Sequence, residues 1–142
     1  MQNVLVTGAN SGIGLALCKL LVTQHGCHVF LGSRSAERGA AAMAAIVTDH
    51  PDAAGKLEVI QLDVTSDASC ASAAASLSAK GVTLFALVNN AACGLAHADV
   101  GGTEGLLNTN FYGMRRRHRR RRRRRRRRVS AHSQARSGLR RQ

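Results

Sequence analysis

The sequence has no run of 18 or more apolar residues, so no segment is long enough to cross a bilayer as a helix. No basic stretch precedes the apolar residues Val4-Leu5-Val6, so no signal peptide is visible and a cytoplasmic location is expected. Cys18, Cys27, Cys70 and Cys93 include no Cys-x-x-Cys pair, and no second ligand pair follows His25, Cys27 and His28 at zinc-site spacing. No metal site is therefore expected. The cysteines' small and apolar neighbours suit reduced thiols that pack as small hydrophobes. Tyrosine occurs once, at Tyr112, and acidic residues are scarce, 8 against 21 Lys and Arg.

That charge imbalance has one main source. Arg115 to Arg117 and Arg119 to Arg128 supply thirteen arginines, broken only by His118. Residues 1–114 hold five basic residues and all eight acidic ones, a net −3, while the last 28 residues carry +16. The organisation expected is a globular unit over 1–114 and an Arg-rich low-complexity tail over 115–142. The length of the whole chain is in the range of one domain.

Within 1–114 two periodicities alternate. Strands are expected at Asn3–Thr7, at His28–Leu31 stopped by Gly32, at Leu57–Val64 and at Thr83–Val88. Helices are expected at Ile13–Gln24, from a Ser35 cap to Asp49, and from Asp67 to Ala79 after a Thr65 or Ser66 cap. Pro51 follows the second helix and Gly81 ends the third. A last helix is expected from Glu104, capped by Thr103, to about Met114. Strand–helix alternation at this spacing implies right-handed crossovers and a parallel sheet. The strands are near-continuous apolar runs, as expected when helices cover both faces. The fold class expected is α/β, a Rossmann-like doubly wound parallel sheet with about four strands and a disordered or helical tail.

The first strand runs directly into Thr7-Gly8-Ala9-Asn10-Ser11-Gly12-Ile13-Gly14. A glycine-rich turn between a strand and a helix suits a pyrophosphate. Gly8 permits the sharp turn, Gly12 lets the backbone approach the phosphates, and Gly14 lets the helix pack closely. The helix N-terminus adds unpaired N–H groups. A surface turn uses the same residues, but its position here raises the match above chance.

Thr-Gly-x-x-x-Gly-x-Gly resembles the cofactor motif of the short-chain dehydrogenase/reductase family. Three more segments resemble that family, in its order. Leu62-Asp63-Val64-Thr65 is similar to the segment whose Asp contacts adenine. Asn89-Asn90-Ala91-Ala92 is similar to Asn-Asn-Ala-Gly, with Ala92 replacing the glycine. Asn108-Thr109-Asn110-Phe111-Tyr112-Gly113 resembles the helix carrying the active-site Asn, which maps onto Asn110, and looks most like carbonyl-reductase-like members. The resemblance implies a nicotinamide dinucleotide held by Gly8, Asn10, Ser11, Gly12, Ile13, Gly14, Asp63, Val64, Asn90, Ala91 and Ala92. It also implies an oxidoreductase acting on carbonyl or alcohol groups.

An acidic residue after strand two would bond the ribose 2′-OH of NAD, whereas an Arg accommodates the 2′-phosphate of NADP. Gly32-Ser33-Arg34 offers Arg34 and a Ser33 hydroxyl, and no Asp or Glu lies between Gly26 and Ala36. NADP(H) is favoured over NAD(H); the alternative is that Arg34 is an ordinary solvated side chain.

The family's chemistry needs a Ser, a Tyr that gives a proton, and a Lys four residues later. Of that tetrad only Asn110 is present, because Lys19, Lys56 and Lys80 all precede the single tyrosine. Tyr112 and Arg116 share the spacing, but Arg stays charged and cannot relay a proton. Ser130 and Ser133 follow the arginine run and are poor replacements for the Ser. Family members imply roughly 250 residues and about seven strands, so the resemblance implies a sheet truncated after about four strands, and the expectation is a cofactor-binding fragment, inactive as written. The alternative is a non-catalytic dinucleotide-binding module, or one binding nucleic acid through its tail.

Three readings of the tail stand side by side. It is a self-repelling disordered segment, or a binder of nucleic acid and other polyanions through Arg115–Arg128, or the product of a lost reading frame. No aromatics interleave the run to stack bases. A basic tail would bias the chain toward the nucleus.

Overall fold

The computed structural model describes residues 1–94 and 102–113. Four strands form one parallel sheet: β1 (Asn3–Thr7), β2 (His28–Ser33), β3 (Leu57–Gln61) and β4 (Ala86–Val88). Its order is β3-β2-β1-β4. The connecting helices are α1 (Gly12–Thr23), α2 (Ala36–Asp49) and α3 (Asp67–Ala79), with a 3₁₀ turn at Pro51–Ala53. After β4 come α4 (Gly102–Leu107) and a π-helical turn, Asn108–Tyr112.

Strand alternation divides the core in two. Val4, Val6, Val29 and Leu31 face one side, where Cys18 and Val22 of α1 and Ala42 and Ile46 of α2 cover them. Leu5, Phe30 and Ile60 face the other, covered by Cys70, Ala73 and Leu77 of α3. Both faces of β1 and β2 are dry, which is why their sequences are apolar throughout. Burial at Gly39, Ala42 and Ile46, and at Cys70, Ala73 and Leu77, follows the three-to-four residue period of a helix face. The tails of α2 and α3 carry exposed ion pairs, Lys19 with Asp49 and Lys80 with Glu58.

Capping fixes the starts of α2 and α3. Ser35 Oγ accepts from Arg38 N at 3.1 Å, and Ser66 Oγ accepts from Ser69 N at 3.2 Å. At the end of α3, Gly81 takes a positive φ of 68°, which is αL and suits glycine.

Four expected boundaries move. Gly32 does not stop β2, which continues to Ser33. Gly32 pairs with Thr7 on one side and Ile60 on the other, and a Cβ there would lie 2.8 Å from Val6 O. The glycine lets neighbouring strands approach. β3 ends at Gln61 and not at Val64, because β2 offers its last acceptor, Ser33 O, to Leu62 N at 2.8 Å. β4 begins at Ala86 and not at Thr83, since β1 starts at Asn3. Phe85 N reaches Asn3 O, and Thr83 O meets only the Asn3 side chain. Thr103 does not cap α4 but lies within it, and the helix rewinds to π geometry at Asn108. Met114 and the arginine tail, with the expectation of a disordered or helical segment, lie outside the described residues.

Among the described residues no helix is long and apolar enough to cross a membrane, and no cluster of three metal-ligating side chains occurs. All four cysteines are free. Burial pushes the Cys18 thiol up to about 12, so it stays protonated and packs as a hydrophobe.

Candidate functional site

The chain steps from β1 to β2 to β3 in one direction, then crosses back to lay β4 on the other side of β1. In an open α/β sheet that reversal leaves a crevice at the carboxyl ends of the two central strands, the place where ligands bind. The loops after β1 and β4 form its walls.

Thr7 ties those walls together. Fully buried at the end of β1, its hydroxyl donates to Val88 O at 3.3 Å. It also accepts from Asn90 N at 3.1 Å and from Ala91 N at 3.0 Å. The Asn90 carboxamide completes the seam, with Nδ2 donating to Thr7 O at 2.9 Å and to Gly8 O at 3.1 Å. Asn90 thus positions the glycine-rich turn through its backbone. Sequence reasoning did not single out Thr7 as a site residue, although a hydroxyl at the end of an otherwise apolar buried strand was the available signal.

The turn itself has two tight glycines and one open one. A Cβ on Gly8 would lie 2.8 Å from Ala91 Cα, and one on Gly14 would run into Asn90 Nδ2 and Gly8 O. Gly12 has a φ of +56°, yet a Cβ there would meet nothing within 4 Å. The backbone at Gly12 faces open space, flanked by Ile13, which is 82% exposed, and by Asn10 and Ser11.

The start of α1 also differs from those of α2 and α3. Its cap residue, Ser11, makes no side-chain capping bond and its first turn has no acidic residue. The other two helices have a bonded serine cap, and Glu37 or Asp67 in the first turn. The Ser35 hydroxyl donates to Glu37 at 2.7 Å and holds its carboxyl below the usual glutamate range. The uncapped N–H groups of α1 keep their partial positive charge available to an anion.

At the end of β2, Arg34 is exposed, and its carbonyl accepts from Gln61 Nε2 at 3.4 Å. Ser33 is only 1% exposed, and its hydroxyl donates to Ser35 O at 2.7 Å. The structure therefore turns Ser33 inward, away from the outward Arg34 beside it. After β3, Asp63 Oδ1 accepts from Thr65 N at 2.8 Å and Thr65 Oγ1 at 2.7 Å, closing a tight turn that seats Val64 in the core.

Asn110 sits on the π turn across from the β4 loop. Its Oδ1 accepts from Cys93 N at 2.9 Å and its Nδ2 donates to Cys93 O at 3.0 Å. Both ends of the carboxamide are engaged with one backbone residue, so the side chain fixes the segment just past Ala92. Cys93 is a second residue that sequence reasoning missed, because only the fold brings it to Asn110. Tyr112, 45% exposed, packs edge-on against Phe111 at 5.3 Å, while Arg116 lies outside the described residues.

Comparison with known proteins agrees with this geometry. A family model described as short chain dehydrogenase matches residues 2–118. The chain is similar to the short-chain dehydrogenase/reductase tropE of Talaromyces stipitatus, 37% identical over 102 residues, covering 71% of this chain and 38% of that protein. It is also similar to (-)-isopiperitenone reductase of Mentha piperita, 38% identical over 104 residues, covering 73% and 32%. Among solved structures, menthone neomenthol reductase from Mentha piperita superposes with a TM-score of 0.73 at 26% identity, covering 83% of this chain and 54% of that one. A metagenomic short-chain oxidoreductase in complex with NADP superposes with a TM-score of 0.66 at 30% identity, covering 83% and 53%. The chain spans less than two fifths of the length of these curated relatives. With the parallel sheet, the crevice and a family match over most of its residues, the chain belongs to the short-chain dehydrogenase family.

Proposed function

We propose that this chain binds NADP(H) in the β1–β4 crevice and is the cofactor-binding part of an oxidoreductase acting on carbonyl or alcohol groups. The observation that carries the proposal is the start of α1. Gly12 opens onto free space while the helix behind it is uncapped and lacks first-turn acid. A pyrophosphate fits that donor set, because the helix N–H groups are available and no Cβ fills the approach. When bound, the nicotinamide supplies hydride transfer.

The residues of the chain would hold the dinucleotide as follows. Gly8, Asn10, Ser11, Gly12, Ile13 and Gly14 form the phosphate cradle. Asp63 and Val64 line the adenine end, and Asn90, Ala91 and Ala92 the opposite wall. Arg34 faces solvent where a ribose 2′-phosphate would lie, and a guanidinium pairs with a phosphate in bidentate fashion. Ser33 contributes by placing Arg34, since its own hydroxyl is held by Ser35 O. NADP in the similar metagenomic oxidoreductase supports the same preference. Asn110 fixes the Cys93 segment and with it the wall at Ala92.

Among these 142 residues Tyr112 is the one tyrosine and Lys80 the last lysine, so they form no Tyr-x-x-x-Lys pair among themselves to deliver a proton to a substrate oxygen. The expected outcome is dinucleotide binding without turnover. Titration with NADPH and NADH tests the first part, with Arg34→Ala expected to weaken NADPH by about tenfold and leave NADH unchanged. Carbonyl-dependent NADPH oxidation by the purified chain would refute the second.

A further inference from the structure

Arg34 stands between Ser33, the last residue of β2, and Ser35, the cap of α2. Among the described residues the ion pairs are Lys19 with Asp49 and Lys80 with Glu58, and neither involves Arg34. Yet a carboxylate lies only three residues away, on the exposed Glu37 in the first turn of α2. Three residues span at most about 11 Å, within reach of two long side chains. The chain offers Glu37 no other local cation to pair with. Ala40 and Ala41, one turn along the helix, are uncharged, and Arg38, as the adjacent residue, does not face it. A Glu37 side chain free to turn would therefore close on Arg34.

Ser35 prevents that contact. Its hydroxyl accepts from Arg38 N at 3.1 Å and donates to Glu37 Oε2 at 2.7 Å. Capping uses the hydroxyl only as an acceptor. Its donor half ties the carboxylate back to the helix start, where the first-turn N–H groups also favour negative charge. The cap residue is itself held in place, because Ser33 Oγ donates to Ser35 O at 2.7 Å.

We infer that Ser35 is a positioning residue for cofactor choice: by holding Glu37 off Arg34 it leaves the guanidinium open to the 2′-phosphate of NADP(H). The inference rests on the dinucleotide reading above and adds to it why Arg34 is not neutralised by its own neighbour. Without the tether, Glu37 competes with the phosphate for the same N–H donors and sets a like charge beside it. NADH has no 2′-phosphate and is indifferent to that contest.

The test measures NADPH and NADH affinity of the full chain by nucleotide fluorescence at about 0.01 M salt. Ser35→Gly removes the hydroxyl but keeps a residue type that caps helices well, so stability falls little, as a thermal melt should show. The preference for NADPH over NADH is expected to fall about fivefold, with NADH affinity nearly unchanged. Ser35→Thr, which keeps the hydroxyl, should keep the parent preference. Adding Glu37→Gln to Ser35→Gly should restore it, which would not follow if the lost cap were the cause. Glu37→Gln alone should leave it where it was. A Ser35→Gly chain with the parent preference, or one that Glu37→Gln does not repair, would overturn the inference and leave the dinucleotide reading standing. An NADPH affinity that Arg34→Ala does not lower, or a parent chain that binds neither nucleotide, would overturn both.

Discussion

Replacing Thr7 by valine tests whether one hydroxyl holds the site together. The side chain is fully buried and joins three backbone groups: Val88 O at 3.3 Å, Asn90 N at 3.1 Å and Ala91 N at 3.0 Å. Valine keeps nearly the same shape, so no cavity term enters. It strands two N–H donors, each costing about 1–3 kcal/mol when buried and unpaired. Both bonds are partly buried rather than fully so, which puts the loss at about 2–4 kcal/mol in total. That is a large share of the roughly 5–15 kcal/mol that stabilises a typical domain. Thr7→Ser is the control: it keeps the hydroxyl and loses one methyl, for about 1 kcal/mol. Urea denaturation of both variants should show a lower midpoint for valine with an unchanged slope. NADPH affinity should fall with it, because the turn and the β4 loop lose their common anchor. A serine variant as damaged as the valine one would refute the argument, since packing and not the hydroxyl would then be responsible.

Gly14→Ala should destabilise by about 2–3 kcal/mol, because the methyl runs into Gly8 O and Asn90 Nδ2. Gly12→Ala has free space but sits at a φ of +56°, so it should cost about 1–2 kcal/mol in thermal unfolding while weakening NADPH more than its stability loss predicts. Asn110→Ala removes both bonds to the Cys93 backbone and the weaker one from its thiol and should cost about 1–3 kcal/mol, with faster amide exchange at 90–93 and little change in β2 or β3. The Lys19 ammonium holds the Asp49 carboxyl below the usual aspartate range. A depressed carboxylate stabilises above its unfolded pKa, and that contribution disappears as pH falls through the folded value. Carboxyl NMR should place the Asp49 midpoint low in the parent and at the ordinary value in Lys19→Gln; the stability effect should be small and vanish in salt, since both groups are exposed.

Local chemistry was readable wherever it acts on its own. Ser35 and Ser66 cap helices because a hydroxyl one residue before an apolar period has one nearby donor to satisfy. The glycine-rich turn was readable because strand, glycines and helix are contiguous. Strand ends were not. β3 loses three residues and β4 loses three because a parallel strand persists only as far as its neighbour does, and that neighbour is remote in sequence. Gly32 misled in the opposite direction, since a glycine that breaks a chain and one that admits a close strand look alike.

By itself the sequence determined the parallel α/β architecture, the glycine-rich strand-to-helix turn and the family, since all three depend on periodicities and motifs carried by contiguous residues. The tertiary structure alone decided that Thr7 and Asn90 lock the turn to β4, that Ser33 turns inward beside an outward Arg34, and that Asn110 grips Cys93. The Thr7, Asn90 and Asn110 contacts are relations between segments 17 to 84 residues apart and exist only once the sheet has put its carboxyl ends side by side. The Ser33 hydroxyl, by contrast, bonds locally to Ser35 O, and only its burial comes from the packed fold.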